Sequence, residues 1–163
     1  MNNLRIFVYT DGGNRNTGNK LGQHVKKEDL SAWAYLILYG NNKKIKDSGF
    51  EFGATNNAME LTAVYFALKK ILSIKKFSNK PITLVSDSHY VIDPLEKKWI
   101  EHWIQTKKNR PNLKTWKALY PIYKKLDKNL SFRWVKGHKN NSGNITVDHM
   151  LNYEMDKHIK LDH

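Results

Sequence analysis

The chain has 163 residues, of which 40% are hydrophobic and 26% charged, a composition typical of a folded protein rather than of a disordered one. It contains no cysteine, which excludes disulfides, thiolate metal sites and a cysteine nucleophile. No apolar run approaches the ~20 residues needed to cross a bilayer, and the first residues lack a signal-peptide pattern. We therefore expect a cytoplasmic protein without a membrane partner.

The chain is strongly basic, because 28 lysines and arginines oppose 15 aspartates and glutamates, for a formal net charge of +13. Residues 97–139 hold 13 of the basic residues and only two acids, Glu101 and Asp127. A polyanion such as nucleic acid is the partner that this excess predicts, with an anionic membrane surface as the second choice. A solvated, lysine-rich helical face is the structural alternative.

The first half of the chain is predicted to form three strands and a helix. β-Branched and aromatic residues bounded by glycine and asparagine predict strands at residues 4–11, 31–39 and 43–53. Residues 12–31 contain few apolar side chains and are expected to form a long loop. From Met59 to Leu72 the apolar residues recur with helical spacing, and a Thr-Asn-Asn sequence at 55–57 offers the N-cap.

In the second half, strand and helix patterns alternate. Strands are predicted at 81–87 and 130–136, and helices from Ser88 to about Pro94 and over 94–107, 112–128 and 147–159. This order predicts an α/β fold with one five-stranded mixed sheet, three antiparallel strands followed by parallel ones, flanked by helices. We find no repeat or linker, so we expect a single domain over residues 1–163.

Four acidic residues stand where predicted elements begin or end. Asp11 and Asp87 each close an apolar strand. Glu60 lies in the first turns of the predicted helix, and Asp148 opens the last helix. Each has a structural alternative as a turn residue, a capping-box partner or an acid at a helix start. Because sites in sheets with parallel strands gather at the carboxyl ends of the strands, we expect the four acids to converge.

Carboxylates that lie close together repel one another and take up protons unless a cation binds among them. Oxygen ligands of this kind suit Mg²⁺, with Mn²⁺ as an alternative. Two such ions about 4 Å apart activate a water and stabilise the leaving oxygen of a phosphodiester. An acidic site in a basic chain therefore predicts a metal-dependent enzyme that acts on nucleic acid.

Five stretches of the sequence form an ordered series over about residues 4 to 158. They are Tyr9-Thr10-Asp11-Gly12-Gly13, Thr55-Asn56-Asn57-Ala58-Met59-Glu60-Leu61, Ser86-Asp87-Ser88-His89-Tyr90-Val91, Trp134-Val135-Lys136-Gly137-His138 and Asp148. Together they resemble the motifs of ribonuclease H type 1. The resemblance implies a ribonuclease H-like fold and a Mg²⁺-dependent endoribonuclease that cuts the RNA strand of RNA–DNA hybrids. The products implied are 5′-phosphate and 3′-hydroxyl ends.

The resemblance also implies which residues perform the chemistry. The acids expected to bind two Mg²⁺ ions are Asp11, Glu60, Asp87 and Asp148. His138, on a loop, is expected to help water activation or product departure.

Substrate contacts are implied in the same way. Asn56 and Asn57 match residues that contact the RNA minor groove and its 2′-hydroxyls, which only RNA carries. Thr55 matches a residue of a phosphate pocket for the DNA strand. The remaining expected contacts are Gly12, either Asn14 or Asn16, and His89, which stands where the family often has glutamine.

The basic segment resembles the basic protrusion, or handle, of the same family, at about residues 94–128. Lys107 and Lys108 are expected to contact phosphates as point charges. Trp103 is expected to pack on a DNA sugar, whereas Trp99 and Trp116 are expected in the core. We expect the handle to supply the non-specific affinity for the hybrid. No obligate protein partner is expected, and the chain is predicted to be a monomer.

Two other functions stay open at this point. One is another nuclease or polynucleotidyl transferase of the same fold that acts on DNA, such as a Holliday-junction resolvase or a transposase-like core. The other is a non-catalytic module that binds RNA–DNA hybrids. The motifs TNN-x-ME-L and WVKGH and the intact set of four acids favour the ribonuclease over both.

Overall fold

The computed structural model describes residues 4–15, 25–106, 109–137 and 141–160. Within these residues the strands are β1 (Ile6–Asn14), β2 (Leu30–Tyr39), β3 (Lys43–Phe52), β4 (Ile82–Ser86) and β5 (Leu130–Trp134). The α-helices are α1 (Asn56–Leu72), α2 (His89–Glu96), α3 (Trp99–Thr106), α4 (Leu113–Leu126) and α5 (Ser142–Lys160). No helix among them combines the length and the apolar character needed to cross a lipid bilayer.

The strands form one mixed sheet in the order β3-β2-β1-β4-β5. β1, β2 and β3 pair antiparallel, whereas β4 pairs parallel to β1 and β5 pairs parallel to β4. The predicted fold, with an antiparallel half followed by parallel strands, is confirmed. Because β1 and β4 are parallel neighbours, their carboxyl ends lie at the same edge of the sheet.

β1 is longer than the sequence predicts. Its apolar pattern stops at Asp11, but the strand continues to Asn14, and residues 12–14 pair with the first half of β2. The prediction of a loop from residue 12 is wrong because β2 begins early enough to supply partners for these residues. Asp11 therefore lies inside a strand that is paired on its β2 side, rather than in a turn.

Two helix boundaries also differ from the predictions. α5 begins at Ser142 instead of residue 147, and the side chain of Asn141 accepts a hydrogen bond of 3.0 Å from the backbone N–H of Asn144 near its start. α2 runs through Pro94 and ends at Glu96. The predicted helix at 94–107 is thus divided, and Lys98, in the left-handed backbone region with φ 62°, lies between α2 and α3.

Apolar side chains cover both faces of the sheet. Alternate residues of β2 point in opposite directions, so that Tyr35 and Ile37 pack in the layer of α1 to α4, while Ala34 and Leu36 pack against α5. Trp116 of α4 is fully buried in the larger layer, as predicted. This packing fixes α1 and α5 on either side of the strands whose ends carry the acidic residues.

Candidate active site

Three of the four predicted acids meet at the edge of the sheet where β1 and β4 end. Asp11 lies in β1, Asp87 directly follows β4, and Glu60 lies in the second turn of α1. One carboxylate oxygen from each lies within 4.8 Å of the others. Asp11 and Glu60 are buried, and Asp87 is half-buried. We call these three residues the acidic cluster.

Gly12 explains how α1 comes this close to β1. A Cβ atom at Gly12 would overlap the backbone of Met59 and Glu60, so only a residue without a side chain fits there. The side chain of Thr55 accepts a hydrogen bond of 3.1 Å from the backbone N–H of Ala58 and caps α1. The cap and the close contact together place Glu60 beside Asp11.

The electrostatics of the acidic cluster favour a bound cation. Burial raises the pKa of Glu60 well above its ordinary value, and the charges of Asp11 and Asp87 raise it further, although a hydrogen bond from the Gly12 backbone acts in the opposite direction. Atom Oε2 of Glu60 is buried without a hydrogen-bond partner among the described residues. Hard oxygen ligands with an unsatisfied buried acceptor fit a divalent cation such as Mg²⁺ or Mn²⁺.

Asp148 shares the pocket of the acidic cluster but does not belong to the cluster itself. It lines the same open pocket of about 400 Å³ from the side of α5. The sequence predicts Asp148 at the start of the last helix. It lies well inside α5 instead, because this helix begins at Ser142. Its backbone carbonyl accepts a hydrogen bond of 2.9 Å from the side chain of Asn152, which also lines the pocket.

Amide side chains form the rim of the pocket beside the acids. Gly12, Asn14, Asn56 and Asn57 all line it. The side-chain oxygen of Asn56 accepts a hydrogen bond of 2.8 Å from the backbone N–H of Asn14, whose own side chain donates to the carbonyl of Ala54 at 3.1 Å. This contact connects the end of β1 to the start of α1 and fixes the amides of Asn14 and Asn56.

His89 lies two residues after Asp87, exposed at the start of α2. Its ring stacks on the indole of Trp134 with a centroid distance of 4.4 Å. The indole N–H of Trp134 donates to the backbone carbonyl of Asp87 at 3.0 Å. Trp134 therefore holds both His89 and Asp87 in position, a role that its place in the WVKGH motif did not reveal.

Arg15 is a pocket residue that sequence reasoning missed. It lines the pocket, and its guanidinium contacts Asp156 at 2.7 Å and the carbonyl of Asn152 at 3.1 Å. It thereby joins the end of β1 to α5. Its only signal in the sequence is its position directly after Asn14, where a loop was predicted.

One tryptophan of the handle lies elsewhere than predicted. Trp99 is 44% exposed and not in the core, because α3 turns that position to the surface. The ring of Trp103 packs edge-on against buried Trp116, and the guanidinium of Arg110 covers it at 3.7 Å from the ring centroid. Trp103 is therefore half-buried, in contact with both Trp116 and Arg110.

Four predicted site residues lie outside the described residues, namely Asn16, Lys107, Lys108 and His138. Gly137, directly before His138, is held by a hydrogen bond of 2.6 Å from the side chain of buried Asn144 to its carbonyl. Gly137 is therefore connected to α5, the helix that carries Asp148.

A family model described as RNase H matches residues 3–155. The chain belongs to the RNase H family. The Ribonuclease H of Ruthia magnifica subsp. Calyptogena magnifica is 35% identical over 159 residues, which cover 94% of this chain and 97% of that protein. A Ribonuclease H of Clostridium botulinum (strain Hall) is 32% identical over 164 residues, with the same coverage.

Solved RNase H structures share the fold. LC9-RNase H1, described as a type 1 RNase H with the type 2 active-site motif, superposes with a TM-score of 0.74 at 21% identity, covering 96% of this chain and 74% of that one. RNase H1 from Halobacterium salinarum gives 0.65 at 22% identity, covering 94% and 98%. Membership in the RNase H family supports nuclease activity, and the acidic cluster fits the divalent-metal site that this family generally has.

Proposed function

We propose that this chain is an endoribonuclease that hydrolyses the RNA strand of RNA–DNA hybrids with two bound Mg²⁺ ions, leaving 5′-phosphate and 3′-hydroxyl ends. The observation that carries the proposal is the convergence of Asp11, Glu60 and Asp87 within 4.8 Å, in a chain of the RNase H family. Residues 1–163 would form one catalytic domain, with the handle at about 94–128.

The acidic cluster, together with Asp148, would hold the metal. When bound, the ions supply the Lewis-acid charge that phosphodiester hydrolysis needs. The carboxylates of Asp11 and Glu60 are buried on a strand and a helix that pack directly against each other, so their positions are set before the substrate arrives. Asp87 and Asp148 stand nearer to solvent, on the side from which the nucleic acid enters.

The amides at the rim account for the choice of RNA. Asn14, Asn56 and Asn57 each carry both a donor and an acceptor, which a 2′-hydroxyl can satisfy and a deoxyribose cannot. We assign His89 to a contact with a sugar or a base edge on the other side of Asp87. His138 would assist proton transfer or product departure, and Thr55 would contact a phosphate of the DNA strand.

The metal assignment is tested by Asp11→Asn. This variant removes a carboxylate ligand without changing a lysine, so cleavage in Mg²⁺ should fall by more than about 100-fold, because even residues that only orient a metal ligand contribute about 10- to 100-fold. Binding of the hybrid in EDTA should be retained. The control is Asp47→Asn, which removes the same charge from an exposed position on β3 and should cleave at the parental rate. Cleavage by Asp11→Asn at near the parental rate would show that the metal assignment is wrong.

The substrate class is tested separately with labelled RNA–DNA, RNA–RNA and DNA–DNA duplexes, each with Mg²⁺ or EDTA. Only the RNA strand of the hybrid should be cut, only with metal, and the fragments should carry 5′-phosphates. Cleavage of the DNA duplex would support the alternative of a DNA nuclease with this fold. Binding of the hybrid without cleavage under any metal would support a non-catalytic module.

A further inference from the structure

A second cavity, of about 310 Å³, lies at the other end of the sheet from the acidic cluster. Its walls come from the segment that follows α1, from the end of α4, and from Ile82 at the start of β4. Asp87 comes five positions after Ile82, so the two sites lie roughly 17 Å apart along β4. We call it the basic cavity, because Lys75, Lys80 and Lys125 line it together and none of the described acids does.

Among the described residues, no acid pairs with the lysines of the basic cavity. None of the three lysines has a described carboxylate within 4 Å. Asp127, close to Lys125 in the sequence, is instead paired with Lys98 at 3.7 Å. Lys80 is half-buried and lines the cavity.

Helix capping explains only part of this lysine cluster. Lys125 lies in the last turn of α4, where its charge offsets the helix dipole. Lys75 and Lys80 come after α1 has ended at Leu72, so they are not needed for that purpose. The helix dipoles place only about half a negative charge at each of the C-terminal ends of α1 and α4. The positive charge of the three cavity lysines exceeds this negative charge.

The remaining lining gives the basic cavity an amphipathic character. Leu72 is 38% exposed, and Ile74 is half-buried beside it. Ser78 and Asn79 add exposed polar groups on the same wall. The volume lies at the lower end of the range of about 300–1,000 Å³ that small-molecule sites occupy. A concave site of this size fits a compact phosphorylated molecule with an apolar part better than it fits an extended strand.

We propose that the basic cavity is a binding site for a nucleoside polyphosphate. Lys75, Lys80 and Lys125 contact the phosphates as point charges, and Leu72 and Ile74 pack against the nucleoside. The site is separate from the acidic cluster and the rim amides, and the proposal does not depend on the nuclease activity.

The test is a calorimetric titration of the full chain with ATP in EDTA, which removes the metal through which phosphates could bind the acidic cluster. The parent chain should bind one ATP saturably. Lys75→Ala/Lys80→Ala should weaken the affinity by about tenfold or more, as expected for the loss of two charged contacts. The matched control is Lys44→Ala/Lys46→Ala, which removes the same charge from exposed positions on β3 and should leave the affinity within about twofold.

The absence of saturable binding, or an equal loss in both double variants, would overturn the proposal. Lys75→Gln alone, a milder change on an exposed side chain, should still weaken binding if the double variant proves unstable. Adenosine should not bind, and inorganic triphosphate should bind more weakly than ATP. If a single-stranded DNA displaced ATP and bound more tightly than ATP, the cavity would be reassigned to nucleic acid. That result would overturn the nucleotide assignment.

Discussion

Gly12 lies against the backbone of α1 and leaves no room for a methyl group. Gly12→Ala must therefore push β1 away from Met59 and Glu60 and disturb the acidic cluster. We expect the free energy of unfolding to fall by about 1–3 kcal/mol or more, as for other overpacked sites, together with a large loss of cleavage. Urea denaturation of the metal-free protein measures the loss of stability independently of the loss of cleavage.

Gly13→Ala is the matched control for this prediction. Its Cβ would lie 3.7 Å from the side chains of Asn56 and Leu151, which are ordinary contact distances. We expect its free energy of unfolding to stay within about 1 kcal/mol of the parent. If the two variants were destabilised equally, the cause would be the conformational freedom of glycine in the strand and not the close contact with α1.

At the scale of residues, the sequence predicts the acids better than the aromatic side chains. Asp11 and Asp87 follow apolar runs in the sequence, and parallel neighbours bring such positions together whatever the details of packing. The surroundings of Trp99 and Trp103 depend instead on how α3 lies against α4 and on where Arg110 folds back. Helical periodicity alone does not contain that information, so Trp99 was wrongly expected in the core.

At the scale of elements, Glu154 anchors α5 to β3. Burial raises its pKa, but hydrogen bonds from Ser48 at 2.8 Å and Lys157 at 3.2 Å, with His158 at 3.3 Å, outweigh burial and lower the pKa overall. A carboxyl whose pKa is lower in the folded state stabilises the fold above its ordinary value of about 4.5. That stabilisation is lost as the pH falls through the lowered pKa.

Glu154→Gln should therefore lower the free energy of unfolding by about 1–3 kcal/mol at pH 7, since it removes charged hydrogen bonds from a side chain that is only 10% exposed. The difference from the parent should shrink as the pH falls through the lowered pKa of Glu154, because the parent carboxyl then takes up a proton as well. Urea denaturation across this pH range measures both effects. Glu51→Gln, an exposed position on β3, should change the stability by less than about 0.5 kcal/mol at every pH.

The ends of β1 and α5 show why element boundaries were predicted less well than the elements themselves. The apolar pattern of β1 ends at Asp11, but pairing with β2 extends the strand to Asn14. The apolar pattern of α5 begins at Val147, whereas the helix begins five residues earlier, at Ser142. The side chain of Asn141 accepts a hydrogen bond from the backbone N–H of Asn144 there. In both cases polar residues join the element because of a contact with a neighbour that periodicity does not register.

At the scale of the whole molecule, an acidic pocket lies in a chain with a formal net charge of +13. Most of the excess falls in residues 97–139, which overlap most of the handle. Metal ions at the acidic cluster would act on a phosphodiester locally, whereas lysines along the handle would attract the polyanion over a longer range. Substitutions in the acidic cluster should therefore change cleavage, and substitutions of the handle lysines should change binding.

Lys107→Ala/Lys108→Ala tests the effect of the handle lysines on binding. Each lysine that contacts a phosphate releases about one counterion, so the variant should bind an RNA–DNA hybrid more weakly and lower the slope of log affinity against log salt by about 1–2. Gel shifts at several salt concentrations in EDTA, where no strand is cut, measure both quantities. Lys44→Ala/Lys46→Ala carries the same net charge, so an equal change of slope in that variant would assign the effect to overall charge and not to the handle. An unchanged slope in the Lys107→Ala/Lys108→Ala variant would show that these lysines do not contact the hybrid.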